Sequence, residues 1–399
     1  MERYDVAVIG AGPAGSMTAK KAAEGGANVA VFEEHPRAGW PVQCAGLLGV
    51  RAVEESELPP GSFLIRPLRG AKVVSPGGFQ LTFRAPETKA WVVDRRLFDR
   101  SLLAEAARAG AEVMMASPVT DLTREGGRTV LAVGRGPDRI KVEADAVISA
   151  EGVGARIARS AGIGPPRELL SSAQVEVPFE VEDPEGVEVF LGREVAPGFF
   201  GWAIPASEGV ARVGLCCRNN ACPYLKRLLK SPPIRSRIRG GPLHLAVGGL
   251  PLGPPPSTVA DGFIAVGDAA GQVKPTSGGG IYPGLVSAKI AGDVAAAAAA
   301  EGDSSAARLS EYERRWRAAL GRELRLGMIV HRMRAGTADP EMDDLVRHLA
   351  GREDLIRIIE EEGDIDLPSR AIRKVAPRMG SSGLKMMGTL FRVFLRGGL

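Results

Sequence analysis

Several things are scarce in this chain. Of its 399 residues only four are cysteine and four are histidine. Adjacent Cys216 and Cys217, with Cys44 and Cys222 apart, make neither a disulfide framework nor a tetrahedral zinc pattern, so they are expected in strands and loops as reduced thiols. His35, His244, His331 and His348 have no metal spacing and belong to no triad, which leaves them structural or surface roles. No metal is expected. Long apolar runs are also missing. The longest, Val294 to Ala300, is far short of the roughly 20 residues that span a bilayer, so any membrane contact is made from the surface. The first strand begins at Tyr4 and leaves no room for a signal peptide. Charge of one sign is nearly balanced: the net is +4, too mild to argue for nucleic acid. No solenoid repeat is visible.

What is present is ordinary globular material, 45% hydrophobic and 25% charged, long enough for two or three packed parts. Residues 4–33 read as strand, tight turn, helix and strand, with Asp5 to Ile9 a buried parallel strand and Gly25-Gly26 stopping the helix. Residues 77–93 read as short strands, 96–109 as an amphipathic helix, and 112–148 as a strand, a meander and a return strand. Residues 174–218 alternate as an antiparallel sheet does. A buried strand at 263–268 leads through a glycine-rich turn to a helix near Gly284–Ala300. From Leu309 onward the pattern is helical.

Two motifs carry chemistry. Gly10-Ala11-Gly12-Pro13-Ala14-Gly15 follows a strand and opens a helix, the context that a dinucleotide fingerprint requires. Gly10 allows the tight turn, Gly12 the approach of a pyrophosphate to the helix N-terminus, and Gly15 the close packing of helix on strand. Glu33, at the end of the second strand, is placed to accept hydrogen bonds from a ribose. The second motif selects FAD over NAD. Phe263 to Val266 ends in Gly267-Asp268, followed by Gly278-Gly279-Gly280-Ile281. Asp268 can reach ribityl hydroxyls. The amides of Gly280 and Ile281 can face the pyrimidine edge of a flavin and stabilise its reduced anion by fixed dipoles.

This pairing resembles the glutathione-reductase-like FAD enzymes, a group that includes aromatic hydroxylases, squalene-epoxidase-like enzymes and geranylgeranyl reductases. Three further segments resemble the geranylgeranyl reductases in particular: the cysteine-bearing loop Pro41-Val42-Gln43-Cys44-Ala45-Gly46-Leu47, the arginine-bearing helix start Asp94-Arg95-Arg96-Leu97-Phe98-Asp99, and Phe200-Gly201-Trp202-Ala203-Ile204-Pro205 followed by Gly214. The resemblance covers roughly residues 1–330. It implies FAD contacts at Ala14, Glu33, Cys44, Ala45, Leu47, Arg95, Val119, Asp268, Gly280 and Ile281, besides the fingerprint glycines Gly10, Gly12 and Gly15. Arg95 would meet phosphate or ribityl oxygens; the alternative is a salt bridge at a helix start. Val119 would act through its backbone. Phe200 and Trp202 would form the substrate wall, with Pro205 ending their strand; the alternative for Trp202 is an ordinary core residue.

The chain departs from the family in places. Phe200 and Ile204 stand where tyrosine and phenylalanine are usual, which removes a phenol. Cys216 replaces the second glycine after Gly214, and Glu151 stands where aspartate is frequent. Cys44 has two readings: a catalytic thiol that tunes or protonates near the flavin, or a small packing residue. The segment Arg373 to Leu399 mixes basic and apolar residues as an interfacial helix does, or as a helix packed on the core or a dimer face does.

The fold expected is α/β, a Rossmann-like FAD-binding domain of glutathione-reductase type with an antiparallel β-sheet substrate domain and a C-terminal helical region. The FAD-binding domain takes residues 1–74, 92–165 and 245–304; the sheet domain 75–91 and 166–244; the helical region 305–399. The implied reaction is saturation of C=C bonds in geranylgeranyl chains of archaeal-type membrane ether lipids, by hydride from reduced flavin N5 plus a proton. A trisubstituted alkene accepts hydride only if protonation is coupled to it in a dry site. No second fingerprint is present, so ferredoxin, reduced deazaflavin or NAD(P)H would load the FAD. The expected location is cytoplasmic or peripheral on the inner face of the membrane. Two other classes stay open: a flavin monooxygenase or epoxidase, and a non-catalytic flavin-bearing lipid-binding or electron-transfer protein.

Overall fold

The computed structural model describes residues 2–134 and 139–379. Its first layer is a mixed sheet with a parallel centre. The strand Glu2–Ile9 pairs in parallel with Val29–Phe32 on one side and Ile140–Ser149 on the other. Phe263–Ala265 and Glu112–Met114 extend this order outward, also in parallel. The central strands are apolar on both faces because both faces are covered. Val6, Val8, Val29 and Val31 turn to a core shared with helices, while Ala7, Ile9, Ala30 and Phe32 turn to the other side. This is the two-residue alternation of a strand read twice. The hairpin Val119–Glu125/Arg128–Val133 adds antiparallel to Ile140–Ser149.

Helix Pro13–Glu24 leaves the first strand at the fingerprint and packs against helix Ile281–Glu301. The alanine run Ala295 to Ala300, the longest apolar stretch, belongs to that second helix. Small residues let the two backbones meet. A Cβ on Gly292 would lie 2.6 Å from the Cβ of Lys21 and 2.7 Å from the Thr18 carbonyl. Helix Arg95–Arg108 starts where Asp94 accepts from the amides of Arg96 at 2.8 Å and Leu97 at 3.4 Å, an N-cap of about 1 kcal/mol.

The second layer is a seven-stranded sheet in the order His244–Leu252, Glu168–Pro178, Val210–Cys217, Gly201–Ser207, Gly186–Phe190, Gly70–Val74, Gln80–Arg84. It is antiparallel except for Gly186–Phe190 against Gly70–Val74, which run parallel. Two borders between the parts therefore move from the expected ones. Gly70–Val74 and His244–Leu252 belong to this sheet by hydrogen bonding, whereas residues 70–74 and 245–252 were expected in the FAD-binding part. Ala90–Val93 instead joins a small sheet with Leu47–Gly49 and Leu64–Leu68. Pro205 does not end its strand. Gly201–Ser207 runs past it with an irregularity between Pro205 and Ser207, and Ala203 is the last described partner toward Gly186–Phe190. Beyond that point the neighbour on that side needs no amide from Pro205.

Helix Ala306–Gly336 is fastened to the first layer. Tyr312 donates to the Ala265 carbonyl at 2.9 Å and accepts from Gln272, and Trp316 donates to Thr258 at 3.1 Å. Shorter helices follow at Asp339–Ala350, Glu353–Glu362 and Ser369–Val375. Among the described residues no helix is long and apolar enough to cross a membrane. The expected interfacial segment lies mostly outside them, from residue 380 on.

Candidate active site

The fingerprint turn is built as its glycines demand. Gly10 has φ +98°, and a Cβ there would lie 2.5 Å from the Ala150 carbonyl; a Cβ on Gly15 would strike the Gly10 carbonyl at 1.9 Å. Gly12 differs, since nothing stands within 4 Å of its missing Cβ. The chain's own packing thus accounts for Gly10 and Gly15, whereas Gly12 faces open space at a helix N-terminus, where an anion is stabilised. The Glu33 carboxylate is buried at the turn. It accepts from the Ala11 amide at 2.8 Å and from the His35 amide at 2.9 Å, with His35 Nδ1 at 2.6 Å.

A cavity of about 700 Å³ begins there. Gly12, Ala14, Cys44, Ala45, Leu47, Arg95, Asp268, Gly280, Ile281, Phe200 and Trp202 all line it. Gly10, Gly15, Glu33 and Val119 do not line it. Val119 is buried, and its carbonyl accepts from Arg156 at 2.7 Å.

Arg95 makes a two-pronged bond to Asp99, at 2.8 and 2.9 Å. The Cys44 thiol lies beside the same guanidinium. Burial alone would lower the Arg95 pKa; Asp99 and Cys44 outweigh it and hold the cation well above its ordinary value. Burial pushes the carboxyls of Asp99 and Asp268 upward, and the nearby Arg95 charge opposes this at both. Arg95 is therefore a buried cation between acids, where both alternatives for it meet: the salt bridge exists, and it lines the cavity. Asp268 draws on no hydrogen bond among the described residues. Its Oδ1 lies 2.6 Å from where a Gly280 Cβ would be, so the acid sits against the Gly279-Gly280-Ile281 turn. An acid on the cavity wall without donors among the described residues, a glycine turn and an open fingerprint helix fit the ribityl, pyrimidine and phosphate parts of a flavin dinucleotide.

The loop that carries Cys44 is clamped from the second sheet. Gln174 donates to the Cys44 carbonyl at 3.2 Å, and Arg212 donates to the Ala45 carbonyl at 2.9 Å. The Gly46 amide donates to the Cys44 sulfur at 3.3 Å. Cys216 and Cys217 lie in a strand and Cys222 in a helix, and among the described residues no His/Cys/Asp/Glu group is arranged to hold a metal. Glu151 accepts from the amides of Ile157 and Ala158, both at 2.9 Å, and from Ser149, a turn-fixing role that either carboxylate can fill.

The apolar wall comes from the seven-stranded sheet. Phe200 and Trp202 meet edge-on, with ring centres 6.3 Å apart. Trp202 donates to Gln174 at 3.1 Å. Gly214 stands opposite both, paired with Trp202 on one side and Gln174 on the other. A Cβ on Gly214 would lie 2.8 Å from the indole and 2.7 Å from the Gln174 Cβ. The glycine is thus the bed on which the indole lies.

Sequence reasoning missed several lining residues. Phe199 stacks on Phe200 at 4.4 Å; the neighbouring aromatic was its only signal. Lys274 forms a buried ion pair with Asp366 and donates to the Ile365 carbonyl at 3.0 Å. Arg334, near the end of the long helix, lies over the Phe199 and Phe200 rings at 4.3 and 5.1 Å. Nothing local marks the last two, because their partners are far away in the chain. His331, expected to be structural or on the surface, is fully buried and bonded to Glu168 at 3.0 Å.

This fold and cavity define an FAD-dependent oxidoreductase of the glutathione-reductase type. The pattern of the pyridine nucleotide-disulphide oxidoreductase family matches residues 4–183. A digeranylgeranylglycerophospholipid reductase of Methanothermobacter thermautotrophicus is 36% identical over 90% of this chain and 97% of its own length. One from Methanopyrus kandleri is 34% identical over 93% and 96%. The crystal structure of a geranylgeranyl bacteriochlorophyll reductase-like protein from Thermoplasma acidophilum superposes with a TM-score of 0.85, at 27% identity over 98% of this chain and 100% of that one. The chain belongs to the digeranylgeranylglycerophospholipid reductase family.

Proposed function

We propose that this protein saturates C=C bonds in the geranylgeranyl chains of archaeal-type ether phospholipids. The observation that carries the reading is one cavity whose wall is at one end the fingerprint and Asp268, and at another Phe200, Trp202 and their sheet. Bound reduced FAD supplies a hydride equivalent to one alkene carbon while a proton goes to the other. The chain's own residues do the rest. Gly12 and Ala14 would seat the pyrophosphate on the turn that Gly10 and Gly15 shape, and Glu33 would take the ribose while fixing that turn. Arg95, Asp268, Gly280 and Ile281 hold the ribityl and pyrimidine parts, with Cys44, Ala45 and Leu47 along the ring and Val119 toward the adenine. Phe200 and Trp202 hold the apolar chain and keep water from it. Cys44, beside a buried cation, is the candidate for a proton-handling thiol.

The division of labour follows the two sheets, with Gly70–Val74 and His244–Leu252 assigned to the substrate side. Ferredoxin, reduced deazaflavin or NAD(P)H serves as electron source, and the lipid is reached from the inner membrane face by peripheral contact. The test is anaerobic. Purified protein should be yellow and release FAD on denaturation without covalent linkage. Once reduced, it should add 2 Da per double bond to 2,3-di-O-geranylgeranylglyceryl phosphate. Oxygen insertion into the chain would establish the monooxygenase reading instead, and a bound lipid of unchanged mass the non-catalytic one.

A further inference from the structure

Arg334 is a cation without an acid. Among the described residues it forms no ion pair. Its Nη1 donates to the Thr276 carbonyl at 2.9 Å, and its Nη2 reaches His331 Nδ1 at 3.3 Å and the Pro275 carbonyl at 3.5 Å. An arginine only donates, so Nδ1 accepts and the His331 proton sits on Nε2, which donates to Glu168 at 3.0 Å. Glu168 is already engaged by Arg218 at 2.8 Å. One carboxylate therefore faces two guanidiniums, one directly and one through the His331 ring.

The Arg334 Nε is buried and has no partner among the described residues. Ser277, whose neighbour Thr276 accepts from Arg334, also has a buried hydroxyl without a partner. Both residues line the cavity. Phe199 and Phe200 give the guanidinium aromatic faces but no acceptor oxygen. Burial lowers the Arg334 pKa to about 10, so it remains charged at neutral pH. An unpaired charge and an unpaired hydroxyl beside an apolar wall are costly unless a ligand completes them.

We infer that Arg334 and Ser277 form a subsite for the phosphate of an anionic lipid headgroup, next to the wall that holds the chain. This rests on the proposed reduction of a phospholipid, and it assigns the headgroup end of the cavity. A guanidinium fork and a hydroxyl suit phosphate oxygens. Free inorganic phosphate offers the same chemistry without the chain.

The test compares 2,3-di-O-geranylgeranylglyceryl phosphate with the same lipid lacking the phosphate. Binding to the oxidised holoenzyme is read by tryptophan fluorescence, and reduction by mass spectrometry. Wild type should prefer the phosphate lipid about 10- to 100-fold in Kd and in kcat/KM, as charge-assisted bonds imply. Arg334→Gln should abolish most of that preference, Arg334→Lys should keep part, and Ser277→Ala should reduce it a few-fold. FAD content measured on the same samples identifies any variant that fails to fold, and Ser277→Ala then carries the test. Equal binding of the two lipids by wild type, or equal losses on both in the variants, overturns the subsite. So does inorganic phosphate binding as tightly as the lipid. Preference in binding with no reduction of either lipid leaves the subsite standing and removes the reductase reading. Equal reduction of both lipids does the reverse.

Discussion

The Gly214 bed offers a sharp test of the substrate wall, because one methyl group there acts on Trp202, and on Gln174 behind it, outside the glycine fingerprint and the Gly267-Asp268 turn. In Gly214→Ala the new Cβ would meet the indole at 2.8 Å, where ordinary contact begins at 3.4 Å. The indole must move by about 0.6 Å, the difference of those two distances. Trp202 lines the cavity, so the move narrows the space for the chain. Overpacking of this kind costs about 1–3 kcal/mol. Misplacing a reacting chain by about 1 Å costs up to 10²-fold in rate, so a loss of about tenfold in kcat/KM for lipid reduction is expected, at near-normal FAD content. Trp202→Ala removes a half-buried side chain and should cost about half of the roughly 3–5 kcal/mol of a fully packed tryptophan; its lipid reduction should be strongly impaired with FAD still bound. The double variant is decisive. With the indole gone, the alanine at 214 keeps its clash with the Gln174 Cβ, at 2.7 Å, but loses the one with the indole, so it should cost less rate in the Trp202→Ala background than in wild type. Because part of the Gly214→Ala effect runs through the indole, the two substitutions should be non-additive. A normal rate in Gly214→Ala, loss of FAD in either single variant, or losses that simply multiply in the double variant would refute the reasoning.

Glu33→Ala should weaken FAD binding by tenfold or more in a titration of the apoprotein, because the carboxylate is also what ties the Ala11 and His35 amides of the turn at about 1.5–3 kcal/mol per charge-assisted bond; an unchanged affinity would make Glu33 a bystander. Glu168 provides the pH prediction. The His331 bond, with help from Arg218, holds its carboxyl down to about 2 from an ordinary 4.5. A depressed carboxyl stabilises the fold above its unfolded value and loses that contribution as pH falls through the folded one. The Tm gap between wild type and Glu168→Gln should therefore be full at pH 5–7 and close between about pH 4.5 and 2; a gap independent of pH would show that the ion pair is not its source.

What the sequence made legible was whatever is local. The strand–turn–helix at the fingerprint, the helix near 281–301 and the antiparallel run from 174 announce themselves by spacing, since each is fixed by neighbours two to four positions away. Pairing across long stretches has no such signal. Gly70–Val74 joins a strand more than a hundred residues on, at Gly186–Phe190, and nothing in either segment states which sheet it will enter. The same holds for Pro205, whose place depends on where the partner strand stops.

The candidate site divides along the same line, for a reason that concerns function. The dinucleotide motifs must recognise a ligand through backbone, so they consist of glycines at fixed spacing and can be read in one dimension. The apolar wall was half legible: Phe200 and Trp202 stand two residues apart, but the strand starts only at Gly201, and the stacking of Phe199 on Phe200 just before it has no alternation signal. The polar end was not legible at all. Arg334 comes from the long helix, Asp366 from a segment between short helices, and Lys274 and Ser277 from the glycine-rich turn. Tyr312 and Trp316 fasten that helix to the first sheet, His331 ties it to Glu168 in the second, and the Lys274–Asp366 pair holds the last segment against the turn. The C-terminal helices thus form part of the cavity wall. A substitution that loosens the fastening, such as Trp316→Ala, acts on the substrate end of the site although it lies in neither sheet.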